Sequence, residues 1–81
     1  MFYAYVLKSL KNNSYYFGST RDINNRLKSH NAGKSKYTKS FRPWEVIYFE
    51  QYQTRKEAFY REMFFKSKEG RDWLKSLNVI K

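Results

Sequence analysis

Apolar and polar positions divide the chain into short stretches of different period. Phe2-Tyr3-Ala4-Tyr5-Val6-Leu7 is an unbroken aromatic and aliphatic run, a composition that suits a strand. Tyr15-Tyr16-Phe17-Gly18 is a second such run. Between them Lys11-Asn12-Asn13-Ser14 supplies turn residues, and asparagine tolerates the positive φ of a tight hairpin. From Asp22 the period becomes helical: Thr20 or Asp22 can cap, Ile23 and Leu27 recur at i, i+4, and Gly33 can end the helix. Lys34 to Arg42 reads as a polar loop closed by Pro43. Trp44 to Tyr52 reads as a strand centred on Val46, Ile47, Tyr48 and Phe49. Thr54-Arg55-Lys56-Glu57 has the form of a capping box, which predicts a helix to about Lys66. Gly70 is expected to break it, and Arg71 to Leu77 to form a last short helix with Trp73 and Leu77 facing inward. The order β-β-α-β-α-α predicts a small α/β (α+β) fold, a three-stranded antiparallel sheet flanked by helices. No repeat or linker interrupts it, so one domain over residues 1–81 is expected.

Charge adds the first functional constraint. The 81 residues carry 17 Lys+Arg against 7 Asp+Glu, a formal net charge of +10. A small fold with that excess repels itself, and a polyanion relieves the repulsion. Nucleic acid is the expected partner. An anionic membrane surface would want the cations gathered on one amphipathic helix, whereas here they are spread along the chain. The absence of cysteine excludes disulfides, thiolate zinc sites and thiol nucleophiles, and a single histidine excludes a multi-His metal site. No apolar run approaches membrane-spanning length, and Met1-Phe2-Tyr3 lacks the basic start of a signal peptide. The expectation is a soluble, cytoplasmic protein.

Four groups of residues carry candidate chemistry. Opposed residues of an antiparallel pair share a face, so a hairpin loop with an even number of residues puts Tyr5 and Tyr16 on one side. With a six-residue loop Tyr5 stands opposite Gly18, and Tyr16 is its diagonal neighbour at ~7 Å. The plain alternative is a pair of core aromatics. Arg26 and His30, at i, i+4, can present side by side; the plain alternative is a surface arginine beside a packed histidine. On the second helix Phe65, Ala58, Glu62, Phe59 and Met63 span one apolar arc at ~100° per residue, with Glu62 near its middle. An inward carboxylate needs a cation, either an ion-pair partner such as Arg26 or a divalent metal. Finally, the loop interleaves Lys34, Lys36, Lys39 and Arg42 with hydroxyls and with Tyr37 and Phe41, residue types that contact phosphates and stack on bases.

Taken in order, Tyr3-Ala4-Tyr5, then Tyr16-Phe17-Gly18, a helix with Arg26 and His30 and a later helix with Glu62 resemble the GIY-YIG nuclease superfamily. The likeness covers essentially the whole chain. It is closest to small stand-alone members, which also carry stretches like Gly33-Lys34-Ser35-Lys36-Tyr37-Thr38 and Arg42-Pro43-Trp44. Tyr3 and Ala4 replace the Gly and Ile of the first triplet, Phe17 replaces Ile in the second, and Ser19 stands where some members have lysine. The resemblance implies that Tyr5 and Tyr16 are active-site tyrosines and that Gly18 lets the backbone pass closely. It implies that Arg26 binds the scissile phosphate, that His30 lies near the site, and that Glu62 holds one divalent metal, Mg²⁺ or Mn²⁺. The implied activity is hydrolysis of DNA phosphodiester bonds by a tyrosine-activated water, as in homing, restriction and DNA-repair enzymes. Two rivals stand beside it: a non-catalytic basic nucleic-acid-binding module of the same fold, and a subunit that takes its specificity from a protein partner.

Overall fold

The computed structural model describes residues 1–81 and has the element order β1 (Phe2–Ser9), β2 (Tyr15–Thr20), α1 (Ile23–Asn31), β3 (Trp44–Tyr52), α2 (Arg55–Lys66) and α3 (Lys68–Ser76), with one 3-10 turn at Lys39–Phe41 before β3. The sheet is antiparallel with β1 in the centre, in the order β2-β1-β3. The expected architecture is the observed one.

Strand β1 is buried on both faces because helices cover both sides of it. Ala4 and Val6 point one way, into a core with Phe17, Phe65, Leu74 and Ile80. Tyr5 and Leu7 point the other way, against Trp44, Tyr16, Ile23, Leu27 and Val46. Helices α2 and α3 therefore cover one face and α1 the other. Each fully buried aliphatic or aromatic side chain of this kind contributes roughly 1.5–3 kcal/mol.

The hairpin fixes the register that matters for the site. Ser9 N–H donates to the Ser14 carbonyl at 2.8 Å, and Asn13 takes the left-handed conformation at φ 63°. Tyr5 then pairs with Gly18, and Leu7 with Tyr16. The buried Ser9 hydroxyl donates to the Phe41 carbonyl at 2.5 Å and accepts from the Lys11 and Asn12 amides. That one side chain ties the hairpin turn to the loop entering β3.

Caps set most helix boundaries. Asp22 accepts from the Asn25 amide at 3.1 Å, and Gly33 at φ 77° closes α1 in the left-handed region. Thr54 and Glu57 form the reciprocal capping box of α2. Three details differ from the sequence-based expectation. The break after α2 falls at Ser67, whose hydroxyl accepts from the Gly70 amide at 3.0 Å and starts α3 at Lys68. Gly70 thus lies inside α3, where a Cβ would collide with the Phe64 carbonyl. Along α3 it is Leu74 that is buried, whereas Trp73 is partly buried and Leu77 is exposed. On α2 the apolar arc is rotated from the expected one: Ala58 and Phe65 are buried, but Phe59 and Met63 are exposed. The cause is Arg61, whose guanidinium lies 4.5 Å from the Phe64 ring centroid and 4.6 Å from that of Trp73. It also donates to both oxygens of Glu50 on β3, at 2.7 and 3.2 Å. Tyr48 and Tyr52 donate to the same carboxylate.

Candidate active site

Gly18 is the floor of the cluster. A Cβ built on it would lie 2.5 Å from Tyr5 Oη and 3.1 Å from Tyr16 Cε2, so the Tyr5 phenol lies flat over a bare backbone. Tyr5 and Tyr16 sit on the α1 face with ring centroids 6.4 Å apart. Tyr5 is buried and Tyr16 half-buried.

Helix α1 brings in the next two groups. His30, fully buried, lies edge-on to Tyr16 at 4.8 Å between centroids. Its Nε2 is 3.5 Å from Tyr5 Oη and its Nδ1 2.7 Å from Thr38 Oγ1. A neutral imidazole has one donor and one acceptor, so the two hydroxyls and the ring form a chain whose protons all run the same way. Burial holds the His30 pKa below the ordinary 6.5, and the nearby Arg26 charge adds to that. Thr38 is fixed in turn, because its carbonyl accepts from Trp44 Nε1 at 3.0 Å. Asn31 clamps the Trp44 backbone on both sides, accepting from its amide at 2.6 Å and donating to its carbonyl at 3.1 Å.

Arg26, one helical turn before His30, presents an exposed guanidinium beside both phenols. Burial pushes the Tyr5 hydroxyl up to about 12 from 10.0; contact with Arg26 pulls it back, and Tyr16 and Glu62 add smaller upward pushes. Desolvation works against the Arg26 charge, but Tyr5 and then Tyr16 outweigh it and raise the Arg26 pKa above its ordinary value. Arginine and phenol therefore favour each other's charged forms.

Glu62 arrives from the other side of the sheet. Its helix covers the Ala4–Val6 face, but β2 is an edge strand, and Ser19 on that strand donates to Glu62 Oε1 at 2.7 Å. Lys66, four residues on, donates to Oε2 at 2.8 Å. Arg26 is not its partner, so the ion pair weighed from sequence is made by Lys66 instead. Glu62 is still close enough for its charge to act on Tyr5. The structure thus gathers Tyr5, Tyr16, Arg26 and His30 on one face, while Glu62 is held by Ser19 and Lys66 at the β2 edge on the α2 side.

The basic loop is anchored, not loose. Buried Thr38 pins its middle, while Lys34, Lys36, Tyr37, Lys39 and Arg42 remain exposed around it. Tyr37 stands 6.1 Å from Tyr16 between ring centroids. The Arg42 guanidinium folds over Gly33, where a side chain would collide with it. Sequence reasoning did not single out Thr38, Asn31 or Lys66, and gave Ser19 no contact with Glu62. Only the spacing of Glu62 and Lys66, at i, i+4, was a readable signal.

Comparison with known proteins gives the class to which this fold and cluster belong. The chain matches the family model of the GIY-YIG catalytic domain over residues 1–78 and belongs to that family. It is 48% identical over 65 residues to the UPF0213 protein YazA of Bacillus subtilis, covering 79% of this chain and 65% of that protein, just under two thirds of its length. It is 51% identical over 65 residues to the UPF0213 protein lwe0147 of Listeria welshimeri, covering 79% of this chain and 71% of the relative. The solution NMR structure of the UPF0213 protein BH0048 from Bacillus halodurans superposes with a TM-score of 0.54 at 33% identity, covering 95% of this chain and 85% of the other.

Proposed function

We propose that this protein is a metal-dependent endonuclease that hydrolyses DNA phosphodiester bonds. The observation that carries the reading is the gathering of Tyr5, Tyr16, Arg26 and His30 beside Gly18 from β1, β2 and α1, with Glu62 of α2 held by Ser19 at the neighbouring β2 edge. In this reading the exposed Arg26 guanidinium holds the scissile phosphate, since its planar fork matches two phosphate oxygens. A tyrosine takes the proton of the attacking water. It does so as a phenolate, the form that Arg26 stabilises, and is a neutral phenol once the proton has moved; neutral His30, whose Nε2 lies 3.5 Å from Tyr5 Oη, is an acceptor for the proton that Tyr5 sheds beforehand. Lys34, Lys36, Lys39 and Arg42, with Tyr37, contact the flanking DNA, and the setting is cytoplasmic.

No group of three acidic or imidazole ligands gathers in the structure, but Glu62 and Ser19 offer hard oxygen donors from two elements. That set suits Mg²⁺ or Mn²⁺, which a lone carboxylate can hold while water and phosphate complete the shell. When bound, such a cation supplies charge stabilisation for the leaving oxygen.

The Lys66–Glu62 pair favours a second reading. Lys66 there neutralises the carboxylate permanently, and the domain binds nucleic acid without cutting it. Nicking of supercoiled plasmid with Mg²⁺ or Mn²⁺, beside a Glu62→Gln variant, separates the two. The nuclease reading expects cleavage to fall by about 10²-fold or more in the variant, as for loss of a preorganised charge. Melting should move by no more than about 1 kcal/mol, because glutamine can still accept from Ser19 and Lys66 is half-exposed. No metal-dependent nicking by the unmodified protein would leave the binding module standing.

A further inference from the structure

A groove of about 520 Å³ runs beside the free edge of β2, lined by Tyr15, Tyr16, Phe17, Tyr37, Lys66 and Arg71. It opens directly off the candidate active site, because Tyr16 lines it and Lys66 is bonded to Glu62. Its walls are four aromatic rings and two cations, with no carboxylate among them. Tyr37 is 79% exposed although it sits in the middle of a pinned loop, beside Thr38. It gains nothing from burial there, and its ring is tilted 51° to that of Tyr16 at 6.1 Å. On the opposite wall the Arg71 guanidinium lies 5.8 Å from the Phe17 ring centroid, facing solvent on its other side.

Aromatic platforms flanked by cations bind unstacked nucleotides: the ring takes the base face and the cation takes the phosphate. The volume falls in the range of small-ligand sites, roughly 300–1,000 Å³. A duplex keeps its base faces covered by neighbouring bases and offers such a groove only phosphates. Charge complementarity points the same way, since the chain carries +10 overall and a second copy would be repelled.

We propose that this groove holds one unpaired nucleotide beside the scissile phosphate, so that the preferred substrate is DNA with unpaired bases next to the cut. Tyr37 stacks on the base, and Arg71 and Lys66 take the adjoining phosphates. The position beside the cut rests on the nuclease reading; the binding does not.

The test is fluorescence anisotropy at one fixed ionic strength with three end-labelled probes of equal length: an oligothymidylate strand, an abasic strand of the same charge, and a duplex. Stacking on aromatic side chains predicts that the thymidylate strand binds about fivefold or more tighter than the abasic one. Tyr37→Ala should erase that difference and Tyr37→Phe should keep it. Arg71→Gln should weaken both strands in parallel. Both side chains are exposed, so unchanged melting curves will confirm that the variants fold. Equal affinity for base-bearing and abasic strands overturns the proposal, and so does a preference that survives Tyr37→Ala. Plasmid nicking is scored separately. Absent cleavage with an intact base preference would remove the nuclease reading and leave the groove, whereas cleavage without any base preference would do the reverse.

Discussion

Gly18→Ala sets two physical rules against each other, and the sign of the outcome decides between them. Glycine inside a strand is normally a weakness, and alanine there should gain roughly 0.5–1 kcal/mol. Gly18 shows no left-handed φ that would bar a side chain. The surroundings of Gly18 say the opposite, since the new methyl would lie 2.5 Å from Tyr5 Oη and 2.7 Å from Tyr5 Cζ. Tyr5 is 1% exposed and packs against Leu7 and Trp44, so its ring has no open space to swing into. Overpacking of a tight core costs about 1–3 kcal/mol, which exceeds the propensity gain. A net destabilisation of about 1–2 kcal/mol is expected. The functional loss should be larger in proportion. Relief of the overlap needs a shift of the phenol of about 1 Å, and the Tyr5–His30 contact at 3.5 Å is already at the limit of a hydrogen bond. Displacements of that size cost on the order of 10²-fold in rate. Urea denaturation and metal-dependent plasmid nicking on the same preparation read both effects. A variant as stable as the parent, or more so, with unchanged cleavage would show that the bare floor under Tyr5 is not needed.

Two further outcomes follow from buried polar contacts on either side of the sheet. Thr38→Val keeps the shape but leaves buried His30 Nδ1 without its 2.7 Å partner; denaturant melts should show a loss of about 1–3 kcal/mol, and an unchanged midpoint would refute the role given to Thr38. For Glu50, burial works to raise the carboxyl pKa, but hydrogen bonds from Arg61, Tyr48 and Tyr52 outweigh it and hold it below 4.5. The unfolded chain therefore binds the proton first, so the stabilisation is present above about pH 4.5 and is lost as pH falls through the lower folded value. Glu50→Gln should flatten that acid limb in pH-dependent melting, and an identical limb would contradict it.

Local signals were legible in the sequence and distant contacts were not. The capping box at Thr54 and Glu57 and the hairpin at Asn12 and Asn13 depend on neighbours a few residues apart, and both are present in the structure. Gly70 misled because a glycine after a helix reads as a terminator. The actual stop is the Ser67 side chain, and Gly70 is small for a tertiary reason, its contact with the Phe64 carbonyl. The apolar arc of α2 misled because Arg61 counts as polar in any period. Its guanidinium, packed against Phe64 and Trp73 and neutralised by Glu50, turns the helix as an apolar residue would. Tyr5, Tyr16, Arg26, His30 and Glu62 stood out only as an ordered set. Thr38 and Ser19, whose partners lie 8 and 43 residues away, had no pattern to betray those contacts.

The geometry of α2 explains how a carboxylate on one side of a sheet can serve a cluster on the other. Consecutive helix residues point about 100° apart. Arg61 reaches outward to Glu50 on β3, and Glu62 reaches in the other direction to Ser19 on β2. The helix thus spans β1 and is held at both edges of the sheet by adjacent side chains. The Arg61 contact is the stiffer of the two, with two hydrogen bonds to one carboxylate and rings on its faces. It fixes the rotation of α2, and that rotation delivers Glu62 to the β2 edge. At that edge Gly18 lets the Tyr5 phenol extend over the strand toward the same place. Two-sided access of this kind needs an edge strand, a residue without a side chain and a helix locked in phase. β2, Gly18 and the Arg61–Glu50 pair supply one each.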